Sequence, residues 1–371
     1  MNIIHISYDY FNTTVYKNLF KVLDENNVVT CVVPLDYDEK NNPDIIESQE
    51  IIPLFFGKPG PFSVQVRASR FSKLIKNKMD LSQVQLIHAH FTLNDGLVAL
   101  KLGKNKGLPY VISVRASCVI DLKRRIAFHN YITLLQVLVN SKAIFFQTKN
   151  VLNELLANIP FSLRKKIIRK HHIVHNGIDD FWHESLFKRD CELDDKEFSI
   201  ITASSIEENK NLINVANAIS KLNKNGYKIK YSIAGNVKDE QILEKLKSFN
   251  FISFLGELGK HDLRNAYRES DIFIMLSHRE TFGLVYAEAM SQGLPIIYTR
   301  DQGFDGQFAE GLVGFHSSPN DINEIEQVII RVSENYKHLS ANASNLVSKF
   351  KWEHIGKQYN KIYDCLVVKS R

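Results

Sequence analysis

Two glutamates eight positions apart, Glu280 and Glu288, and one lysine, Lys210, are the side chains best placed to handle a phosphorylated, hydroxyl-rich ligand. The glutamates lie between Asp271 and Ile297, where an apolar run ending at Leu276 leads into a short loop, a helical pattern and Gly293-Leu294-Pro295. The run is continuously apolar, as a parallel strand covered on both faces must be. The loop Ser277–Gly283 therefore opens at the carboxyl end of that strand, where ligands bind in open α/β sheets. A helix beginning near Thr281 or Phe282 aims free N–H groups and a positive dipole end into the same crevice, which favours phosphate. Carboxylates on the loop and the helix can face one crevice, each taking a pair of hydroxyls. The competing reading makes Glu280 a helix cap and Glu288 a solvated helix residue. Lys210 supplies the cation. A fixed cation in a water-poor crevice stabilises negative charge on a phosphorylated ligand. The alternative, a solvated lysine at a helix start, is disfavoured by the dipole there.

The elements that must carry these residues repeat along the chain. Short apolar runs alternate with longer helical patterns, seven strands in the first half and six in the second, which reads as α/β with parallel, doubly wound sheets. At 371 residues the chain exceeds what one core usually serves. The series restarts after Asn176-Gly177-Ile178-Asp179-Asp180, a turn-rich break that marks a domain boundary. This divides the chain into a first domain over 1–179, a second over 180–351 and a final helix over 352–371. That helix carries one apolar stripe, Ile355, Tyr359, Ile362, Tyr363 and Leu366, suited to packing back on the first domain or to capping the end. In the second half, Gln302-Gly303-Phe304-Asp305-Gly306 follows the next strand. Its glycines let backbone N–H groups approach a phosphate or sugar, although a surface turn uses the same residues.

Composition narrows the setting. The hydrophobic fraction of 44% and charged fraction of 24% are those of a soluble globular protein. Four cysteines lie far apart, with no CxxC pair, which excludes a zinc or disulfide framework and fits a reducing, cytoplasmic compartment. The start lacks the features of a signal peptide, and no apolar run approaches the roughly 20 residues that span a bilayer. Charge is uneven. Residues 55–179 hold 20 basic and 5 acidic side chains, whereas residues 180–371 hold 24 and 27. The first domain therefore suits an anionic partner. The stretch Phe62–Met79 carries Arg67, Arg70, Lys73 and Lys76 among apolar residues, a basic amphipathic helix able to lie on an anionic membrane, or else a solvated face. Lys123-Arg124-Arg125 and Arg164–Lys170 add further basic clusters. No nucleic-acid-binding motif accompanies the charge.

Ser277-x-x-Glu280-x-Phe282-Gly283-Leu284, followed by Glu288-Ala289-Met290-x-x-Gly293-x-Pro295, resembles the donor-site signature of retaining glycosyltransferases of family 4. His88-Ala89-His90, Gly107-x-Pro109-x-Val111, Asn176-Gly177-Ile178-Asp179, Lys210-Asn211 and Phe254-Leu255-Gly256 resemble further stations of that family along most of the chain. The resemblance implies the GT-B architecture, two Rossmann-like domains facing across a cleft, with the acceptor bound by residues 1–179 and the nucleotide-sugar donor by residues 180–351. It implies a sugar transferred with retention from a nucleotide-sugar, a UDP-sugar foremost, to a glycan or lipid-diphosphate-linked acceptor in cell-surface polysaccharide assembly. No metal or other cofactor is expected. Peripheral attachment to the inner membrane face fits the basic domain. By the same resemblance Glu288 binds the ribose, Glu280 the transferred sugar and Lys210 the diphosphate. Thr281, Phe282, Gly283, Gly303, Phe304 and Asp305 surround the donor, and His90 contacts sugar or acceptor.

The chain also departs from the family. The segment Ser7–Thr14 lacks the family's glycine pair. Ser205 stands where an arginine is usual, and Arg115 where a histidine is usual. Arg115 is expected either to restore the charge lost at Ser205 or to be a structural arginine. Rival readings are a nucleotide-sugar epimerase, a phosphorylase and a non-catalytic partner subunit.

Overall fold

A computed structural model describes residues 1–25, 27–35, 51–55, 64–116, 118–119, 128–190, 192–194 and 196–368. They divide into two compact units, Met1–Gly177 with Trp352–Arg371, and Ile178–Lys351.

In the N-terminal unit the strands are β1 Asn2–Ile6, β2 Val28–Leu35, β3 Ile51–Phe55, β4 Leu86–Ala89, β5 Tyr110–Val114, β6 Ala143–Phe146 and β7 His171–Ile173. They form one parallel sheet in the order β3-β2-β1-β4-β5-β6-β7. Every residue of β4, β5 and β6 is buried, because helices cover both faces. The C-terminal unit repeats the plan with β8 Glu197–Ala203, β9 Lys228–Ala234, β10 Ile252–Gly256, β11 Ile272–Met275, β12 Ile296–Thr299 and β13 Gly314–Ser317. Their order is β10-β9-β8-β11-β12-β13, again all parallel. Both sheets reverse strand order once, between β1 and β4 and between β8 and β11. This is the doubly wound pattern, which opens a ligand crevice at each reversal.

The last helix, Trp352–Val368, belongs to the N-terminal unit. Its buried stripe of Trp352, Ile355, Tyr359 and Tyr363 shares a core with Tyr16, Leu19 and Leu23 of the helix Thr14–Asp24. Each such side chain contributes about 1.5–3 kcal/mol by leaving water. Two glycines permit the approach. A Cβ on Gly177 would stand 2.6 Å from the Trp352 ring, and one on Gly356 2.9 Å from Val22 Cγ2.

The basic helix, Val64–Lys78, differs from the membrane-surface reading. Its apolar face, Ala68, Phe71 and Ile75, is buried in the N-terminal core and is not available to a bilayer. Arg70 and Lys73 are exposed, while Arg67 and Lys76 are partly buried. Lys123-Arg124-Arg125 lies outside the described residues. Lys165, Lys166 and Arg169 are exposed, but Lys170 is held by the carbonyls of Val139 and Ser141 at 2.7 and 2.8 Å. Among the described residues no helix is long and apolar enough to cross a membrane.

Candidate active site

Lys210 and Glu280 leave the carboxyl ends of β8 and β11, the adjacent strands at the reversal point of the C-terminal sheet. The structure brings them together, with Lys210 Nζ 3.2 Å from Glu280 Oε2 and both side chains largely buried. Lys210 is not at a helix start. It closes a 3-10 turn, Glu208–Lys210, and Asn211, at φ +56°, then turns the chain into the helix Leu212–Lys224. The Asn211 amide pins that turn by donating to the Pro319 carbonyl at 2.6 Å.

Glu280 is fixed on every side. Its backbone N–H donates to Gln302 Oε1 at 3.1 Å, and its carbonyl accepts from Gly303 N–H at 3.1 Å. Its Oε1 accepts from the N–H of the exposed Thr281 at 3.0 Å. Asn209 joins the two loops. Its side-chain amide donates to the Arg279 carbonyl at 3.0 Å and accepts from Arg279 N–H at 3.1 Å, while its own carbonyl takes His278 N–H at 2.8 Å. Asn209 and Gln302 thus set the spacing of the Lys210–Glu280 pair. Neither was singled out from sequence. Asparagine and glutamine are ordinary loop residues, and a contact between loops distant in sequence leaves no local signal.

The helix after the loop begins at Leu284, later than expected, with Gly283 as its N-cap. No side chain caps it, as suits a helix start that takes an anion. Gly283 sits at φ +76°, and a Cβ there would stand 2.4 Å from the Tyr286 ring. The Tyr286 hydroxyl is tied to the Met275 carbonyl at 2.5 Å, so the ring has little freedom to yield. Gly283→Ala is expected to lower stability by about 1–3 kcal/mol through strain and displacement of this turn. It should also weaken nucleotide diphosphate binding at least tenfold, measured by urea unfolding and titration calorimetry.

Several residues expected around the donor are held by contacts of the unit's own. Phe282 and Phe304 are buried, and their rings pack on Phe350 at 5.8 and 6.0 Å between centroids, so these side chains are core rather than ligand contacts. Gly303 ties its loop to the loop of Glu280. Its N–H is taken by Glu280, and a Cβ would lie 2.5 Å from the Thr281 carbonyl. Asp305 holds its own turn, accepting from Asp301 N–H at 2.7 Å and lying 3.5 Å from His316 Nδ1. Ser205 donates to Glu207 Oε1 at 2.8 Å.

Glu288 lies partly buried on the helix Leu284–Ser291. Burial pushes its carboxyl up to about 7, against the pull of Lys260, while Asp179 adds to the rise. Lys260 and Asp179 are themselves paired at 2.6 Å. A carboxylate accepts two ribose hydroxyls better than the neutral acid does. Binding of a nucleoside diphosphate should therefore tighten as pH rises from 6 to 8, when Glu288 ionises. Calorimetry across that range should show the trend, and Glu288→Gln should flatten it.

Two N-terminal residues are also held by contacts of their own unit. His90 is fully buried and exposes no face to a ligand. Its Nε2 shares a hydrogen bond with His5 Nδ1 at 2.9 Å, and its ring stacks on His88 at 4.1 Å. His88 in turn is bonded through both nitrogens, to Tyr363 Oη at 2.6 Å and Ser113 Oγ at 2.8 Å. Arg115 is buried within the same unit. It donates to Asn176 Oδ1 at 3.1 Å and lies 5.3 Å over the Tyr16 ring, contacts within its own unit.

Two doubly wound parallel sheets in one chain, with a phosphate-ready loop pair on the second, define the GT-B class. Residues 184–346 match the family model for glycosyl transferases group 1. The chain is 25% identical over 306 residues to an uncharacterized glycosyltransferase of Methanocaldococcus jannaschii, covering 79% of this chain and 78% of that protein. It is 24% identical over 327 residues to the alpha-monoglucosyldiacylglycerol synthase of Acholeplasma laidlawii, covering 81% and 80%. The Anabaena protein HepE, solved with UDP, superposes with a TM-score of 0.73 at 14% identity, covering 98% of this chain and 100% of that one. The chain is a glycosyltransferase.

Proposed function

We propose that this enzyme moves a sugar from a UDP-sugar to a hydroxyl acceptor with retention of configuration, as the family 4 resemblance implies. The observation that carries the reading is the Lys210–Glu280 pair, 3.2 Å apart beside an uncapped helix N-terminus at the strand reversal. With donor bound, Lys210 turns to the diphosphate and Glu280 to the hydroxyls of the transferred sugar. As the bond from the anomeric carbon to the diphosphate oxygen breaks, the leaving group keeps the electron pair. The acceptor oxygen bonds to the same face of that carbon, and its proton passes to the departing phosphate. Charge on the leaving group grows along this path, and Lys210 with the helix N–H groups stabilises it most where it is greatest. The reading needs no metal, so a chelator should leave turnover unchanged.

The UDP complex of the Anabaena protein supports uridine as the base. The Acholeplasma relative, a glucosyldiacylglycerol synthase by name, supports an acceptor built on a lipid or growing glycan, as in cell-surface polysaccharide assembly. The unpaired Cys31, Cys118 and Cys365 support a cytoplasmic location. Attachment to an anionic membrane would then rest on exposed charge such as Arg70 and Lys73, and salt should abolish it.

A thermal-shift and hydrolysis screen over UDP-, GDP- and ADP-sugars tests the reading. Stabilisation and slow hydrolysis with UDP-sugars are expected. Preference for another base would overturn the uridine assignment, and inertness toward all three would point to a non-catalytic subunit. Sugar isomerised without release of UDP would point to an epimerase.

A further inference from the structure

Two helices of the N-terminal unit carry apolar side chains on both sides. The helix Phe161–Ile168 buries Ile167 and packs Leu163 against the unit's core. Phe161 and Ile168 lie on its other face, 84% and 48% exposed. The helix Phe128–Asn140 lies beside it, and its Tyr131 hydroxyl donates to the Asn158 carbonyl at 3.2 Å, just before the shorter helix begins. Its outer side carries Phe128 and Ile132, 79% and 38% exposed, opposite the buried Leu134 and Val137. Among the described residues, Phe161 and Phe128 are the two most exposed of the large apolar side chains.

Single exposed apolar residues are ordinary, but four on two neighbouring helices call for a partner. Folding draws little from them, because each helix already buries its inner side. Their surroundings are basic. Between Phe128 and Ile173 the chain holds seven Lys and Arg and one acid, Glu154. Lys165, Lys166 and Arg169 are exposed among the apolar residues of the shorter helix, and the Arg164 guanidinium lies 5.6 Å over the Phe161 ring. This combination selects the partner. A second copy of the chain would bring like charges face to face, which disfavours pairing. A nucleic acid would use the charge but gain little from Ile132 and Ile168. An anionic bilayer uses both, with headgroups on the cations and the apolar side chains in the boundary between headgroups and acyl chains.

We propose that the outer face of the helices Phe128–Asn140 and Phe161–Ile168 docks on an anionic membrane. Phe128, Ile132, Phe161 and Ile168 insert, and Lys165, Lys166 and Arg169 meet the lipid phosphates. The proposal rests on the membrane attachment proposed above, and places its main contact away from the helix Val64–Lys78, whose apolar face is covered. Insertion and charge act together, so salt, which screens the charge, releases the protein.

Co-sedimentation of the full chain with vesicles tests this. Vesicles of phosphatidylcholine mixed with phosphatidylglycerol should bind the wild type, and vesicles of phosphatidylcholine alone should not. Phe161→Ser should weaken binding roughly tenfold, the loss of one inserted aromatic side chain. Lys165→Gln with Lys166→Gln should weaken it more than tenfold, since each basic residue near an anionic surface is worth roughly fivefold. Melting temperatures should stay at the wild-type value, because these positions are exposed. Phe161→Trp should bind as the wild type does, and its fluorescence should shift to the blue on anionic vesicles, against the constant signal of buried Trp182 and Trp352. Arg70→Gln with Lys73→Gln should cost less, and an equal or larger loss there would overturn the assignment. Binding that survives both the Phe161 and the lysine variants refutes this surface while membrane attachment stands on other charge. No binding to either kind of vesicle refutes both. Self-association of the wild type that Phe161→Ser abolishes, without vesicle binding, would make the face an interface between copies and overturn the proposal.

Discussion

Lys210→Ala should lower turnover by about 10²–10³-fold with a much smaller change in KM for the donor. The size follows from where charge appears. In the ground state the diphosphate already carries its charge on oxygens that other groups can reach, so part of the lysine's attraction is common to both states. In the transition state the bridging oxygen becomes anionic, and Lys210 is the cation the loop pair holds beside it. Lys210 and Glu280 are mostly withdrawn from solvent, where a fixed charge acts with less screening. Lys210→Arg should rescue only partly, because a planar guanidinium does not reproduce the compact charge of the ammonium held 3.2 Å from Glu280. Single-turnover kinetics with the cognate UDP-sugar would separate the steps. An unchanged chemical step in Lys210→Ala would remove the lysine from the mechanism.

Acid should unfold the N-terminal unit unusually early. His5, His88 and His90 are fully buried in one hydrogen-bonded group. Burial lowers His5 to about 3. It holds His88 and His90 well below the ordinary range, and the neighbouring imidazoles and Arg115 lower them further. In the unfolded chain all three protonate near pH 6.5. Between that pH and their native values the unfolded state binds more protons, so stability falls as pH falls. Three protons correspond to at most about 4 kcal/mol per pH unit, a large share of a typical total of roughly 5–15 kcal/mol. Urea unfolding at pH 5 and 7 should therefore differ by several kcal/mol. Replacing the bonded pair His5 and His90 together by leucine should reduce that difference. Equal stability at the two pH values would mean that these rings are not held neutral.

The parts legible in the sequence are those fixed by local order. Apolar runs alternating with helices give parallel sheets, and the chain after β11 must form a loop at the strand's carboxyl end. Glu280 is therefore readable as a crevice residue, while Lys210 is singled out by the family resemblance. Contacts made across the sheet are not readable. The histidine group depends on the pairing of His5 with His88, a register no local pattern states. Asn209 and Gln302 act through contacts between loops some 70 and 22 residues apart in sequence. Periodicity showed that Val64–Lys78 is amphipathic, but not that its apolar side is covered by the unit's own core. Phe282 and Phe304 stood within ligand motifs, and being large and apolar they turned inward.

Everything turns on whether the C-terminal loops grip a diphosphate. Titrating UDP and UMP against the wild type and Lys210→Ala measures this most directly. The wild type should bind UDP at least tenfold tighter than UMP, and the variant should bind the two alike. Equal affinities in the wild type, or a preference that survives loss of the lysine, would contradict the account.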